Sequence, residues 1–455
     1  MHSSARAMTE SVDPFHVRVS AVELQPRRPG LIQSLFLEAP RVKDWVNGSV
    51  LTIVGWFIPG DGILLARALI VHQGKVLKRT LINIPRPDVL GAIPAAAGTC
   101  VGFHCELSLL GLSKYTELEI IVSYDDKQFS ERQRLLLYKL VVEKKSKLMV
   151  ESKYQPVQVT AIGRSGTTLL MQVLNQHPQV LTTNFYPYEV KLATYWLQLL
   201  KVVAAPADLE CSSHPDQFEG TQESIGHNPY SHPEYIGQYK LTSAIRNYYD
   251  VSVVRSIAQL VVGKINEYYE IVAEEEGKLQ AKYFAEKSLP NHINALCADV
   301  FDHPKEIILT RDFRDIICSA RAFNEKRKTK AFGRDTVADD FEWVDVLANS
   351  GARRMQQAWL ERKGHSLHVK YEDLILDPEH EISRILNYLD VENGPSTVAG
   401  IRQAVFSDVA SVSKHKTTEN PSLSIGRWRT DMDDNLKAHC KLRLGEVLDT
   451  FGYEV

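Results

Sequence analysis

The chain has 455 residues, 44% hydrophobic and 24% charged, and its 53 basic and 56 acidic side chains give a formal net charge of −3. That is the make-up of an ordinary globular protein with room for two domains, and the balance argues against a dedicated nucleic-acid binder. No apolar run approaches the ~20 residues a membrane span needs, and Met1 to Val22 has no signal-type apolar stretch, so a cytoplasmic protein without a transmembrane segment is expected.

Residues 1–25 lack periodicity and read as a disordered tail. From 26 to 145, short alternating apolar runs between Gly and Pro turns predict an all-β sandwich domain. Strands are expected at Val50–Ile58, Ala66–His72, Val76–Ile84, Cys100–Leu107, Leu118–Tyr124 and Arg134–Val142. Through Gly55-Trp56, Arg86-Pro87-Asp88-Val89 and Gly102-Phe103, this stretch resembles β-sandwich modules found ahead of catalytic domains in some bacterial transferases. Its aromatics fit a core or turn role better than glycan binding. Residues 146–156 read as a charged linker. The six cysteines, Cys100, Cys105, Cys211, Cys297, Cys318 and Cys440, lack metal-ligand spacing and read as buried thiols.

From 157 to 455 strands alternate with helices, which predicts an α/β domain with a central parallel sheet. It opens on Val157–Pro178. Alternating Val157, Val159 and Ala161 form a strand, Gly163 and Gly166 allow a tight turn, and Leu169, Leu170, Val173 and Leu174 recur at helical spacing. Strand, glycine turn and helix aim free backbone N–H groups and a positive dipole end at an anion. Arg164, Ser165, Thr167 and Thr168 add side-chain donors. The Gly-Lys-Ser/Thr ending of a nucleoside-triphosphate loop is missing. Further along, Pro206–Tyr239 has no periodicity and is read as a lid or acceptor-binding segment, its histidines as solvated. Ser243–Glu276 reads as one long helix or two. Strands are expected at Glu306–Thr310 and Leu367–Val369, and Ser319 lies eight residues after Arg311, about two turns down a helix starting near Asp312. A strand-end Arg and a helical Ser suit one phosphate.

In this order and separation, Gly163-Arg-Ser-Gly-Thr-Thr-Leu-Leu and Arg311 with Ser319 resemble the sulfotransferase superfamily that uses 3′-phosphoadenosine 5′-phosphosulfate (PAPS). The likeness is greatest to the protein-tyrosine branch and its bacterial relatives, which also carry Arg and a following His-Pro. It implies a P-loop-like three-layer α/β/α domain in which Gly163, Arg164, Ser165, Gly166, Thr167 and Thr168 hold the 5′-phosphosulfate and Arg311 and Ser319 the 3′-phosphate. Glu189, in Tyr186-Pro-Tyr-Glu-Val, matches the family's base, and a carboxylate suits a hydroxyl acceptor that must lose a proton. Lys287, in Ala285-Glu-Lys-Ser, matches the lysine that stabilises the leaving phosphate. Lys370-Tyr-Glu-Asp-Leu374 resembles the family's closing unit, with Asp377 as cap and Pro378 at the first helical position. Arg427 and Arg429, in the basic loop that also holds Lys414-His-Lys416, match a loop that folds over the nucleotide.

The resemblance thus implies an enzyme, cytoplasmic and bacterial, that moves a sulfuryl group from PAPS to a hydroxyl, leaves adenosine 3′,5′-bisphosphate and needs no metal. A carbohydrate or glycolipid acceptor is expected; protein tyrosine and small natural products are alternatives. A phosphoryl-transferring kinase and a non-catalytic glycan-binding protein on the same fold remain open, as does a homo-oligomer.

Overall fold

A computed structural model describes residues 16–25, 30–60, 63–92, 101–126, 133–144, 148–183, 185–206, 245, 248–290, 292–407 and 421–455. The chain divides into two compact units. One comprises Met1–Met149 with Leu197–Val261, the other Val150–Trp196 with Val262–Val455. The division differs from the sequence reading, which kept everything beyond 157 in one domain.

Among its described residues the first unit carries nine strands: β1 (His16–Leu24), β2 (Ile32–Ala39), β3 (Trp45–Asn47), β4 (Val50–Pro59), β5 (Ile63–His72), β6 (Lys75–Leu81), β7 (Gly102–Ser108), β8 (Tyr115–Asp126) and β9 (Gln133–Lys144). They form antiparallel sheets of order β3-β1-β9-β8-β5-β6 and β2-β4-β7. Inward residues of both, such as Val19, Ile70, Ile120 and Leu140 from one and Leu35, Ile53, Phe57 and Phe103 from the other, share one core, as a β-sandwich requires. The reading of 1–25 as a tail is corrected in part, because His16–Leu24 is a paired strand whose register runs Val17↔Lys144 to Leu24↔Tyr138. Its partner lies some 120 residues away, so local periodicity could not report it. A short helix, α1 (Pro87–Ala92), covers Ile58 and Val101 through Val89.

The second unit is built on a parallel sheet of β11 (Val180–Leu181), β12 (Tyr283–Ser288), β10 (Gln155–Thr160), β13 (Lys305–Thr310) and β14 (Leu367–Lys370), in that order across it. Gln155 and Pro156, read as linker, begin β10. The helices that matter for the site are α2 (Thr167–Asn175), α3 (Leu192–Ala204), α4 (Val254–Glu275), α5 (His292–Val300) and α6 (Phe313–Arg327). Strands β10, β12 and β13 carry almost unbroken buried runs, the pattern of a sheet covered on both faces. One face packs Leu170, Val173 and Leu174 of α2 with Ile382, Ile385 and Leu389. The other packs Ile316 and Ile317 of α6 with Trp343, Leu444 and Leu448. This is a three-layer α/β/α domain. Asp377 caps Pro378–Leu389 by accepting from His380 N at 3.3 Å, with Pro378 at the first position. Residues 1–15, most of Pro206–Tyr239, Lys414-His-Lys416, Cys100 and Cys211 lie outside the described residues.

Candidate functional site

The site sits where β10 and β13 end. Leaving β10, the chain turns through Gly163-Arg-Ser-Gly166 and enters α2. Gly166 is the helix N-cap at φ 91° and offers no side-chain cap, so the first-turn N–H groups of α2 keep no capping partner from it. The ring of Tyr371 lies where a Cβ on Gly166 would stand, and a Cβ on Gly163 would come within 2.9 Å of the Phe332 ring. Arg164 also holds a positive φ of 71°. Ser165 is 1% exposed, and its hydroxyl has no hydrogen-bond partner.

Arg311 follows β13 and is 4% exposed. Among the described residues it donates to two carbonyls, Arg164 O at 3.3 Å and Ser424 O at 2.6 Å, and its Nε has no partner. Its guanidinium stacks on Tyr371 at 4.7 Å, and the Tyr371 hydroxyl meets Ser424 Oγ at 3.2 Å. Arg164 Nε donates to Ser319 Oγ at 3.1 Å, so the two motifs read as separate phosphate sites touch directly. The Arg164 guanidinium lies over Phe323 at 4.9 Å and Phe332 at 5.9 Å. Burial, and then neighbouring Arg311, push its pKa down to about 10, which leaves it charged at neutral pH. Two guanidinium groups, an orphaned buried hydroxyl, an orphaned Nε and an uncapped helix start therefore converge. Burying such donors without partners costs free energy, and an anion with several oxygens would satisfy them together.

On the neighbouring strand, Lys287 Nζ donates to Thr168 Oγ1 at 3.1 Å, Pro187 O at 2.5 Å and Glu189 Oε1 at 2.7 Å. The lysine side chain is 7% exposed and the glutamate 57%. Burial lowers the Lys287 pKa, and the bond to Glu189 opposes that shift. Glu189 and Lys287, read from distant motifs, thus form one ion pair attached to the loop.

The C-terminal arginines behave differently. Arg427 pairs with Asp431 at 2.6 Å and keeps one buried nitrogen, Nη1, without a partner. Arg429 is half-exposed, pairs with Glu454 at 2.5 Å and lies over Trp428 at 4.7 Å; none of its recorded contacts reaches Arg311, Arg164 or Ser319. Three residues here escaped the sequence reading. Asp315 is buried and accepts from Gly426 N at 2.6 Å and Trp428 N at 2.9 Å, which ties the C-terminal loop to α6; burial raises its pKa. Its place four residues before Ser319, on the same helix face, was the available signal. Tyr371, read as structural, fills the gap between Gly166 and Arg311. Glu286, next to Lys287, is buried at the start of α3.

Beside the loop lies a cavity of about 170 Å³, lined by Ile162, Ile316, Ile317, Phe332, Trp343 and Leu347 among others, with Gly163 and Arg164 on its loop side. Two of its polar side chains are engaged: Trp343 Nε1 donates to Phe332 O at 2.8 Å and Ser350 Oγ to Val346 O at 2.5 Å. Among the described residues there is no His/Cys/Asp/Glu cluster fit for a metal, and no helix long and apolar enough to cross a membrane.

A sulfotransferase family model matches residues 156–395, more than half of the chain. No curated protein gives a significant match. Solved structures align at low similarity. The sulfotransferase domain from the curacin biosynthetic pathway is 14% identical, with 67% of this chain and all of that one covered and a TM-score of 0.38. The sulfotransferase domain of the Synechococcus PCC 7002 olefin synthase is 19% identical, covering 69% and 100%, at 0.37. Sulfotransferase STF9 from Mycobacterium avium is 14% identical, covering 67% and 79%, at 0.33. Scores of this size carry no argument about donor or acceptor.

Proposed function

The chain belongs to the sulfotransferase family, and from that premise we propose that it transfers a sulfuryl group from PAPS to an acceptor hydroxyl. The observation that supports this most is Arg311, a buried cation whose hydrogen bonds among the described residues go to carbonyls and to no carboxylate. Among the described residues it has no ion pair, which suits a residue whose counter-ion arrives with a ligand. Arg311 and Ser319 receive the 3′-phosphate, and Arg427 lends its free nitrogen from the loop tied down by Asp315. Arg429 has no such role in this reading. The α2 amides at Gly166, Thr167 and Thr168, with Ser165 Oγ, receive the 5′ end, and Arg164 reaches both ends.

PAPS supplies the sulfuryl group and leaves as adenosine 3′,5′-bisphosphate. One bond forms from the acceptor oxygen to sulfur as the bond from sulfur to the bridging phosphate oxygen breaks, and that bond's electron pair stays with the phosphate. Glu189 takes the hydroxyl proton. Lys287 and Arg164 neutralise charge gathering on the leaving oxygen, a task that pre-placed cations perform without reorganising.

For the acceptor, the carbohydrate or glycolipid expectation and the phenolic alternative make opposite demands on the lining beside the loop. The lining of the 170 Å³ cavity is mostly apolar and its Trp343 and Ser350 donors are already bonded, so sugar hydroxyls turned to those walls would lack partners, at about 1–3 kcal/mol each. An aromatic ring is close to the size such an apolar cavity admits. A ring-bearing hydroxyl, as in tyrosine or a small natural product, is therefore the second reading that the cavity favours. The residues after the linker, 157–455, are proposed to carry the whole activity.

The test uses ³⁵S-labelled PAPS with 4-methylphenol and a methyl glucoside as acceptors. Arg164→Ala should abolish transfer, and Glu189→Gln should lower turnover at least a hundredfold while the affinity for adenosine 3′,5′-bisphosphate stays within twofold. Near-normal transfer by Arg164→Ala would overturn the assignment. Loss of nucleotide binding in Glu189→Gln would make Glu189 structural.

A further inference from the structure

Successive residues of a strand point to opposite faces, and in β12 two successive charged residues hold the two ends of one short segment. Lys287 takes Pro187 O and the Glu189 carboxylate on the loop side. Glu286, 5% exposed, accepts from Ala193 N with its two oxygens at 2.9 and 3.2 Å, and from the Tyr269 hydroxyl at 2.8 Å. Ala193 is the second residue of α3, so this carboxylate caps α3 from another strand. The residues just before the helix, Val190 and Lys191, are not capping types. A carboxylate at a helix start also gains from the helix dipole. Burial keeps water away from Ala193 N, leaving Glu286 as its recorded acceptor.

Three residues separate Glu189 from Ala193. The strand that grips both is itself locked to the loop strand, in register Lys287↔Val159 and Ser288↔Thr160. A shift at Ala193 would therefore move Glu189 while leaving β12, β10 and the loop in place. We propose that Glu286 is a positioning residue for the proton acceptor: it fixes the first turn of α3, so that Glu189 stays on Lys287 beside the glycine loop. This rests on the sulfuryl-transfer reading. Glu286 touches neither donor nor acceptor and acts only through the 187–193 segment. A purely structural Glu286 would cost stability and leave turnover per folded molecule unchanged.

The experiment compares full-length wild type, Glu286→Gln and Glu286→Met, the last keeping the length of the side chain while removing both acceptor oxygens from the start of α3. Amide hydrogen exchange should quicken at least tenfold across 186–196 in each variant and stay unchanged across 157–168. With labelled PAPS, kcat should fall at least tenfold, while the affinity for adenosine 3′,5′-bisphosphate stays within twofold. Wild-type kcat in either folded variant, or faster exchange spread through the loop as well, overturns the proposal. If Glu286→Gln does not fold, Glu286→Met decides alone. A wild type that neither binds the nucleotide nor transfers sulfur would sink the sulfuryl reading instead, and the exchange pattern would still show whether Glu286 holds the segment.

Discussion

Arg311 and Arg314 stand three residues apart and are buried alike, at 4% and 3% exposure, yet they lie in opposite kinds of surroundings. Arg314 forks onto Asp312, Nε to Oδ1 at 3.0 Å and Nη2 to Oδ2 at 2.8 Å, donates to Glu454 O at 2.6 Å and stacks on Trp428 at 3.7 Å. Its charge and donors are settled inside the protein. Arg311, at the loop, has carbonyls, a tyrosine face, an orphan Nε and a second guanidinium beside it. The difference separates an arginine whose charge is settled inside the fold from one proposed to bind a ligand. Breaking a buried pair leaves its carboxylate uncompensated, so Arg314→Ala should cost about 3–5 kcal/mol, seen as a lower midpoint in urea unfolding. Arg311→Met should lower that midpoint less than Arg314→Ala does, since Arg311 forks onto no carboxylate and its loss removes a repulsion on Arg164, though Asp315 and Glu372 lose a nearby positive charge. It should also weaken adenosine 3′,5′-bisphosphate binding at least a hundredfold and adenosine 5′-monophosphate binding far less. An Arg311→Met as destabilised as Arg314→Ala, with intact nucleotide affinity, would erase the distinction.

The second unit offers a subtler version of the same contrast. Burial pushes the Glu286 carboxyl up to about 7, while burial pushes His368 down to about 4. Between about 4.5 and 7 the folded chain keeps on Glu286 a proton that the unfolded chain has lost, so stability falls as pH rises through that window. His368 acts in the opposite sense: below about 6.5 the unfolded chain takes a proton that the folded one refuses, so its contribution is lost as pH falls. The two slopes partly cancel in wild type. Subtracting the unfolding free energy of Glu286→Gln from that of wild type isolates the glutamate. The difference should shift against wild type by on the order of 3 kcal/mol from pH 4.5 to pH 7.5. A flat difference would mean that Glu286 is already charged at the low end.

Much of the site was legible because its chemistry is local. The glycine spacing, the eight-residue step from Arg311 to Ser319 and the Asp377-Pro378 cap each follow from backbone geometry within a few residues, and each appears in the fold. What escaped depends on partners far along the chain. Glu286 was given no role from the sequence, because the α3 amides it meets lie more than 90 residues away. The pair of Arg429 with Glu454, from the last residues of the chain, has no sign in the neighbouring sequence. Strand β1 has an apolar alternation too weak to stand out until β9 pairs with it. Burial of a charge is a tertiary property, and a residue's neighbours in sequence say little about it.

The finest form of the comparison lies inside the loop, between its two glycines. Both lie against an aromatic ring, but the rings differ in freedom. Tyr371, against Gly166, is held by Arg311 on its face and Ser424 at its hydroxyl, and Gly166 itself sits at φ 91°. Gly166→Ala should therefore cost about 1–2 kcal/mol in backbone strain alone and drive the ring onto Arg311, with nucleotide binding lost. Phe332, against Gly163, is 43% exposed, and Gly163 does not sit at a positive φ. Its ring can swing outward, so Gly163→Ala should cost less than about 1 kcal/mol and keep nucleotide affinity within threefold. Because that ring is a wall of the apolar cavity, Gly163→Ala should instead raise KM for 4-methylphenol several-fold at constant kcat. Equal losses of nucleotide binding in the two variants would mean that the loop moves as one rigid piece and that the rings do not divide its functions.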